Sequence, residues 1–164
     1  MGTIASEPQE QHRWLERLTG EWIVTGDAPP DAPPGAPPPE WTETVRSLHG
    51  LWIVGVSRGD MPGCGPVEMQ ITLGYDPRRE RFVGTWIGSM MTHLWVYEGT
   101  LDPDGRVLTL ESEGPHFDDP GRTGRYRDVI TVEDDDHRTM TGQRLTDAGA
   151  WETFVTFRFR RKTG

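Results

Sequence analysis

From Thr19 to Lys162 apolar and polar residues alternate in short runs, and Gly, Pro or Asp interrupts them about every eight to twelve residues. That rhythm is written by antiparallel barrels and sandwiches. Val67, Met69, Ile71 and Leu73 alternate with Glu68, Gln70 and Thr72. A strand of period two sends that apolar set inward. Phe82, Gly84, Trp86 and Gly88 share one face of the next run. The two glycines leave room for something bulky or let the strand bend. His93, Trp95 and Tyr97 share a face against Leu94 and Val96. Both sets are apolar there, so alternation does not assign the inner one. In the last run Trp151, Val155, Phe157 and Phe159 alternate with Glu152, Thr156, Arg158 and Arg160.

The same pattern predicts a helix over Glu7 to Leu18, an element spanning residues 7–19 with Ser6 as N-cap and Gly20 past its end. Trp14, Leu15 and Leu18 give it a narrow apolar stripe, too little to hold a short helix in water by itself. It is expected to lie across one mouth of the sheet. Strands are predicted at Glu21 to Gly26, Trp41 to Leu48, Leu51 to Arg58, Val67 to Leu73 and Arg81 to Ile87. Five more follow at Thr92 to Leu101, Arg106 to Glu111, Arg125 to Val132, His137 to Leu145 and Ala150 to Arg161. Between the first two lies DAPPDAPPGAPPPE, Asp27 to Glu40, whose prolines lack amide donors and cannot join a ladder. It reads as an extended loop, PPII in character. His49-Gly50, Asp102-Pro103-Asp104-Gly105, Asp134 to Asp136 and Asp147-Ala148-Gly149 mark turns. A meander of about ten strands closes on itself, because closure removes unpaired edges. The expectation is an all-β chain: one domain over residues 1–164, a ten-stranded antiparallel up-and-down barrel with a short N-terminal helix.

Composition narrows the partners. Lys plus Arg number 17 against 26 Asp plus Glu, a formal charge of −9. That acidity argues against nucleic acid and against an anionic membrane, since both demand a basic footprint. One cysteine, Cys64, permits no intramolecular disulfide, and a cytoplasmic protein is the simplest expectation. The first residues lack the basic and apolar regions of a signal peptide, and no apolar run approaches the roughly 18 residues of a membrane span. The Met-Gly start, with Ser6 at the favoured position, resembles a myristoylation site at Gly2. The composition resembles that of a high-GC bacterium, where this modification is not expected.

Gly20-Glu21-Trp22 opens the first strand directly after the helix. It resembles the G-x-W signature of lipocalin and calycin barrels, which implies that Trp22 closes one barrel end beneath a cation from the final strand: Arg158, Arg160 or Arg161. A longer likeness runs from about His12 to Lys162. HRWLERLTGEW, the GYD turn, GTWIGSM, the DPDG turn, TGRYRDVITVEDDD and FRFRRK resemble the bacterial domain-of-unknown-function family 1579. The resemblance implies a lipocalin-like closed barrel and no particular activity. The MPG-Cys-GP loop and the Pro-rich insert depart from the family pattern.

Seven tryptophans are many for 164 residues, and ten strands enclose more interior than eight. Aromatic residues on barrel strands with few convergent polar groups favour a pocket for an apolar or aromatic molecule. The candidate ligand-binding residues are Trp86, Met90, His93, Trp95, Tyr97, Arg127, Gln143 and Trp151. Of the polar residues, His93, Tyr97, Arg127, Asp128 and Gln143 are the ones expected to face inward. Arg127 would then pair with Glu98 or Asp128, or hold an anionic ligand. A second reading is a cofactor-free isomerase or cyclase using His93 with Tyr97 or Asp128 as an acid/base pair. A third is a haem-binding barrel with His93 or His116 as ligand, although GEWIVTG lacks the Gly-rich repeat such barrels carry. A fourth is an interaction protein, a homodimer formed through the Pro-rich loop or a barrel face. Neither cofactor nor metal is expected otherwise: the five histidines lie in separate segments, without H-x-H, H-x-x-x-H or H-E-x-x-H spacing. Cys64 sits between glycines with no His partner, so it does not read as a nucleophile.

Overall fold

A computed structural model describes residues 6–28, 31–61 and 63–163 of the chain; Gly2 lies outside them. Ten antiparallel strands close into one barrel in meander order, with the first strand completing the ring against the last. They are β1 (Gly20–Thr25), β2 (Glu40–Leu48), β3 (Trp52–Met61), β4 (Gly65–Asp76), β5 (Arg81–Gly88), β6 (Trp95–Leu101), β7 (Val107–Pro115), β8 (Thr123–Asp134), β9 (His137–Leu145) and β10 (Trp151–Arg161). The closing seam pairs Trp22 with Arg161 and Val24 with Phe159.

The helix is shorter than expected. The α-helix, α1, covers Glu10–Leu15, and a single 3-10 turn, Glu16–Leu18, finishes it. Gln9 replaces Ser6 as N-cap, because Pro8 pushes the residue before it out of helical conformation. His12 secures that start. Its Nδ1 accepts from the Gln9 amide at 2.9 Å, and its Nε2 donates to the Tyr75 carbonyl at 3.0 Å. The histidine is thus a buried structural group that ties α1 to β4.

The two barrel ends differ in kind. Under α1 the turns are tight: 49–51, 77–80, 102–106 and 135–136. His49 and Gly50 have φ of 54° and 82°, the pair of positive values that a type I′ hairpin requires. Trp14 Nε1 donates to the Gly105 carbonyl at 2.7 Å, and Ser47 donates its hydroxyl to Glu16 at 2.6 Å. These bonds seat the helix on the turns. Beneath it Leu15, Leu18, Trp22, Leu73 and Phe82 form a closed apolar floor. At the opposite end the connections are mostly longer: 26–39, 62–64, 89–94, 116–122 and 146–150. The Pro-rich insert is the first of these, and its base is held by a bond from the Gly26 amide to the Pro39 carbonyl at 3.0 Å.

Trp22 carries the role implied by its motif. The Arg161 guanidinium lies 4.3 Å from its ring centroid, and the Arg138 guanidinium lies 4.7 Å from it. Arg161 is therefore the cation of the final strand, rather than Arg158 or Arg160. It also donates to the Thr19 carbonyl at 2.7 Å and the Asp135 carbonyl at 2.9 Å.

One irregularity changes which residues face inward. In β10, Thr153 pairs with Gln143 while Val155 pairs with Gly142, so Phe154 is an extra residue. This bulge breaks the period-two register. Val155, Phe157 and Phe159 keep the inner face, and Trp151 turns out.

The barrel lumen as candidate functional site

The inward residues of the upper barrel do not fill it. They enclose a cavity of about 420 Å3 that is closed by the floor under α1 and open among the longer loops. Its wall is chiefly apolar. Met69 and Ile71 come from β4, Trp86 from β5, Trp95 from β6, and Phe157 from β10. Met91, Phe117 and Phe154 stand at the entrance with 44%, 50% and 45% of their surfaces exposed. Phe117 and Phe154 meet edge to face at 4.9 Å.

Glycines shape the wall. A Cβ on Gly59 would lie 1.9 Å from the Trp41 ring, and one on Gly114 would lie 2.4 Å from the Trp95 ring. Both indoles lie flat over bare backbone, where no other residue type leaves them room. Trp41 also packs edge to face on Phe157 at 5.6 Å. Its Nε1 is buried and finds no partner among the described residues.

Two polar groups interrupt the apolar lining. The first joins β2, β3 and β9. Arg138 Nη2 donates to Glu43 Oε1 at 2.7 Å, and Ser57 Oγ donates to Glu43 Oε2 at 2.8 Å. Arg138 and Glu43 side chains are only 5% and 9% exposed. The Arg138 guanidinium also lies 3.9 Å from the Phe159 ring centroid. Burial lowers the Arg138 pKa and Glu43 opposes that shift; the two side chains form an ion pair inside the barrel.

The second group joins β6 and β8. Tyr97 donates its hydroxyl to Asp128 Oδ2 at 2.5 Å. Burial pushes the Asp128 carboxyl up to about 6, although the Tyr97 hydrogen bond works against it. Burial also raises the Tyr97 phenol well above its ordinary value, and the neighbouring Asp128 adds to that. Tyr97 and Asp128 form a compact donor–acceptor pair on the lumen wall.

The expected site residues separate into two sets. Trp86, Met90, Trp95 and Tyr97 are brought together on the cavity wall, and so is Asp128. Arg127, Gln143 and Trp151 are not. Arg127 Nε donates to Gln143 Oε1 at 2.5 Å, and its guanidinium lies 4.2 Å over the Trp151 ring. Gln143 in turn donates to Thr153 Oγ1 at 3.1 Å. This ladder runs along the outer face, because β8 turns Tyr126, Asp128 and Ile130 inward and the bulge at Phe154 turns Trp151 outward. Glu98, the partner considered for Arg127, pairs with Arg79 instead. His93 stands beside the wall rather than on it. Its Nε2 donates to the Glu113 carbonyl at 3.0 Å and its ring meets Trp95 edge to face at 4.6 Å. Leu94 and Val96 are exposed, at 52% and 59%, which resolves the strand whose two faces were both apolar.

Haem does not fit this donor set. No described histidine lines the cavity. His93 donates through Nε2, and His116 Nδ1 accepts from the Asp118 amide at 3.2 Å outside it. Among the described residues no cluster of three metal-binding side chains occurs.

Glu43, Ser57 and Arg138 were not among the expected site residues. Their signal is positional: Glu43 sits between Trp41 and Val45, and Arg138 two residues before Met140. A charge on the inward parity of an apolar strand demands a partner inside.

This geometry defines a class: a lipocalin-like closed barrel with a blind, aromatic lumen. The chain belongs to the family described as Protein of unknown function (DUF1579), whose model matches residues 7–161. No curated protein matches the chain. Among solved structures it is similar to Rv2717c from M. tuberculosis, at 15% identity and a TM-score of 0.57, covering 96% of this chain and 100% of that one. A redesigned beta barrel is similar at 9% identity and a TM-score of 0.47, covering 92% of this chain and 96% of that one. The first likeness supports the barrel fold alone. No described helix is long and apolar enough to cross a membrane.

Proposed function

We propose that this protein binds a small, mainly apolar or aromatic molecule in its lumen. The observation that carries the reading is the blind cavity of about 420 Å3, within the roughly 300–1,000 Å3 range of small-molecule sites. An apolar wall with a few fixed polar groups is the usual make-up of such sites. Trp86, Met90, Trp95 and Tyr97 would contact the ligand, and the entrance aromatics would close over it. Native mass spectrometry of protein purified from its own host, together with a thermal-shift screen of apolar compounds, tests this. A bound small molecule, or a compound that raises the unfolding midpoint, is expected. A protein that carries nothing and responds to no compound of this class overturns the reading.

A second reading has one observation in its favour. The Tyr97–Asp128 pair is a buried proton donor and acceptor, and a carboxyl near 6 suits general acid/base work at neutral pH. A cofactor-free isomerase or cyclase would use these two side chains without His93. Once a turnover assay exists, Tyr97→Phe and Asp128→Asn should each remove activity and His93→Ala should not.

A further inference from the structure

The charge inside the lumen restricts the ligand further. We infer that the pocket selects neutral or cationic ligands, apolar alcohols and amines, and rejects carboxylic acids of the same shape. This rests on the binding reading and names its ligand class.

The lining holds three charged side chains: Glu43, Asp128 and Arg138. Arg138 is the sole cation, and it is already committed. Glu43 accepts from it at 2.7 Å, and the Trp22 and Phe159 rings lie against its guanidinium. Asp128 has no such counterion. Its hydrogen-bond partner is the Tyr97 phenol, and no Lys, Arg or His among the described residues comes within ion-pair distance. The interior therefore carries one uncompensated carboxyl group.

A ligand carboxylate entering here would lose its hydration and meet a like charge in a medium that screens it poorly. Among the described lining residues no free cation offsets either cost, and Arg144, over Phe117 at the entrance, is already paired with Asp118 and Glu152. An ammonium would instead supply the counterion that Asp128 lacks. A hydroxyl would donate to Asp128 without adding charge. Trp41 Nε1 and Arg138 Nε are buried donors without partners among the described residues, but neither adds net charge to the lumen, because Arg138 is ion-paired with Glu43. The overall charge of −9 acts in the same direction at long range.

Decylamine, decan-1-ol and decanoate share one chain and differ in the end group. They are titrated calorimetrically into the intact protein at about pH 7.5, where the amine is protonated and the acid ionised. Decan-1-ol and decylamine are expected to bind at least about tenfold more tightly than decanoate, a gap of roughly 1.4 kcal/mol. In Asp128→Asn the decanoate gap should shrink to within about threefold and the amine should lose its advantage over the alcohol. Decanoate binding as tightly as decan-1-ol to the native protein overturns the charge inference while leaving the lumen as a binding site. An undiminished gap in a folded Asp128→Asn protein also overturns it. If none of the three binds, the binding reading fails and takes this inference with it. The native-protein series decides the matter even if the variant does not fold.

Discussion

The fold opposes the ionisation of Asp128 by burying it on the lumen wall. Its carboxyl is held near 6 rather than in the ordinary carboxylate range, so the native protein binds that proton more tightly than the unfolded chain does. The stability this confers is full below about pH 4, the unfolded value, and is lost as pH rises through about 6. The shift corresponds to roughly 3 kcal/mol. Urea midpoints from pH 4 to 8 should fall for the native protein, and Asp128→Asn should flatten that slope and exceed the native midpoint at neutral pH. Glu43 and Arg138 behave as a unit. Arg138→Met strands a carboxylate among apolar side chains, at a cost of about 3–5 kcal/mol. The double variant Glu43→Gln, Arg138→Met should recover most of it, which a double-mutant cycle in denaturant measures.

At the scale of elements, alternation alone placed most strands correctly, because a buried face in a closed barrel leaves little freedom of register. Val67 to Leu73 and Phe82 to Gly88 face as the pattern requires. Alternation puts Trp151 on the same face as Val155, Phe157 and Phe159, and the extra residue Phe154 reverses it. A bulge adds a residue without a composition signal, so everything before it changes sides. Arg127 and Gln143 were misplaced for a different reason: polar side chains in a run with Asp128 give no clue to which parity is inner. The partners across the strands settle it. Deleting Phe154 should join Thr153 to Val155 in regular pairing, leave Trp151 facing out opposite Leu145 beneath Arg127, and remove the Phe154–Phe117 contact at the entrance. Thermal unfolding should fall by several degrees, the equivalent of about 1–3 kcal/mol. The cap is a separate device. Arg161→Met removes hydrogen bonds to Thr19 and Asp135 and the cation over Trp22, and should cost about 1–3 kcal/mol in the same assay.

For the whole molecule, closure was legible from the count and spacing of strands, and the cavity was not. Whether ten strands surround a filled or a hollow centre depends on volumes across the ring, which no local pattern reports. Here the large side chains gather at the helix end, and glycines beneath Trp41 and Trp95 let those indoles lie against the wall instead of crossing the middle. The Pro-rich insert joins β1 and β2 at the open end, and none of its described residues belongs to the buried apolar cluster. Replacing residues 28–38 by a short Gly-containing turn should leave circular dichroism unchanged and shift the unfolding midpoint only slightly, since loop closure depends weakly on length.

The contrast between tight turns under the helix and long connections at the far side separates two duties in one ring. The sealed half holds the shape, through short hairpin turns seated against the helix. The other half is a doorway whose segments bear little of the structural strain. On the proposed binding role, its jambs can be lengthened, shortened or re-faced while the walls stay, so the size of guest admitted and the speed of its exit can change while the chamber keeps its form.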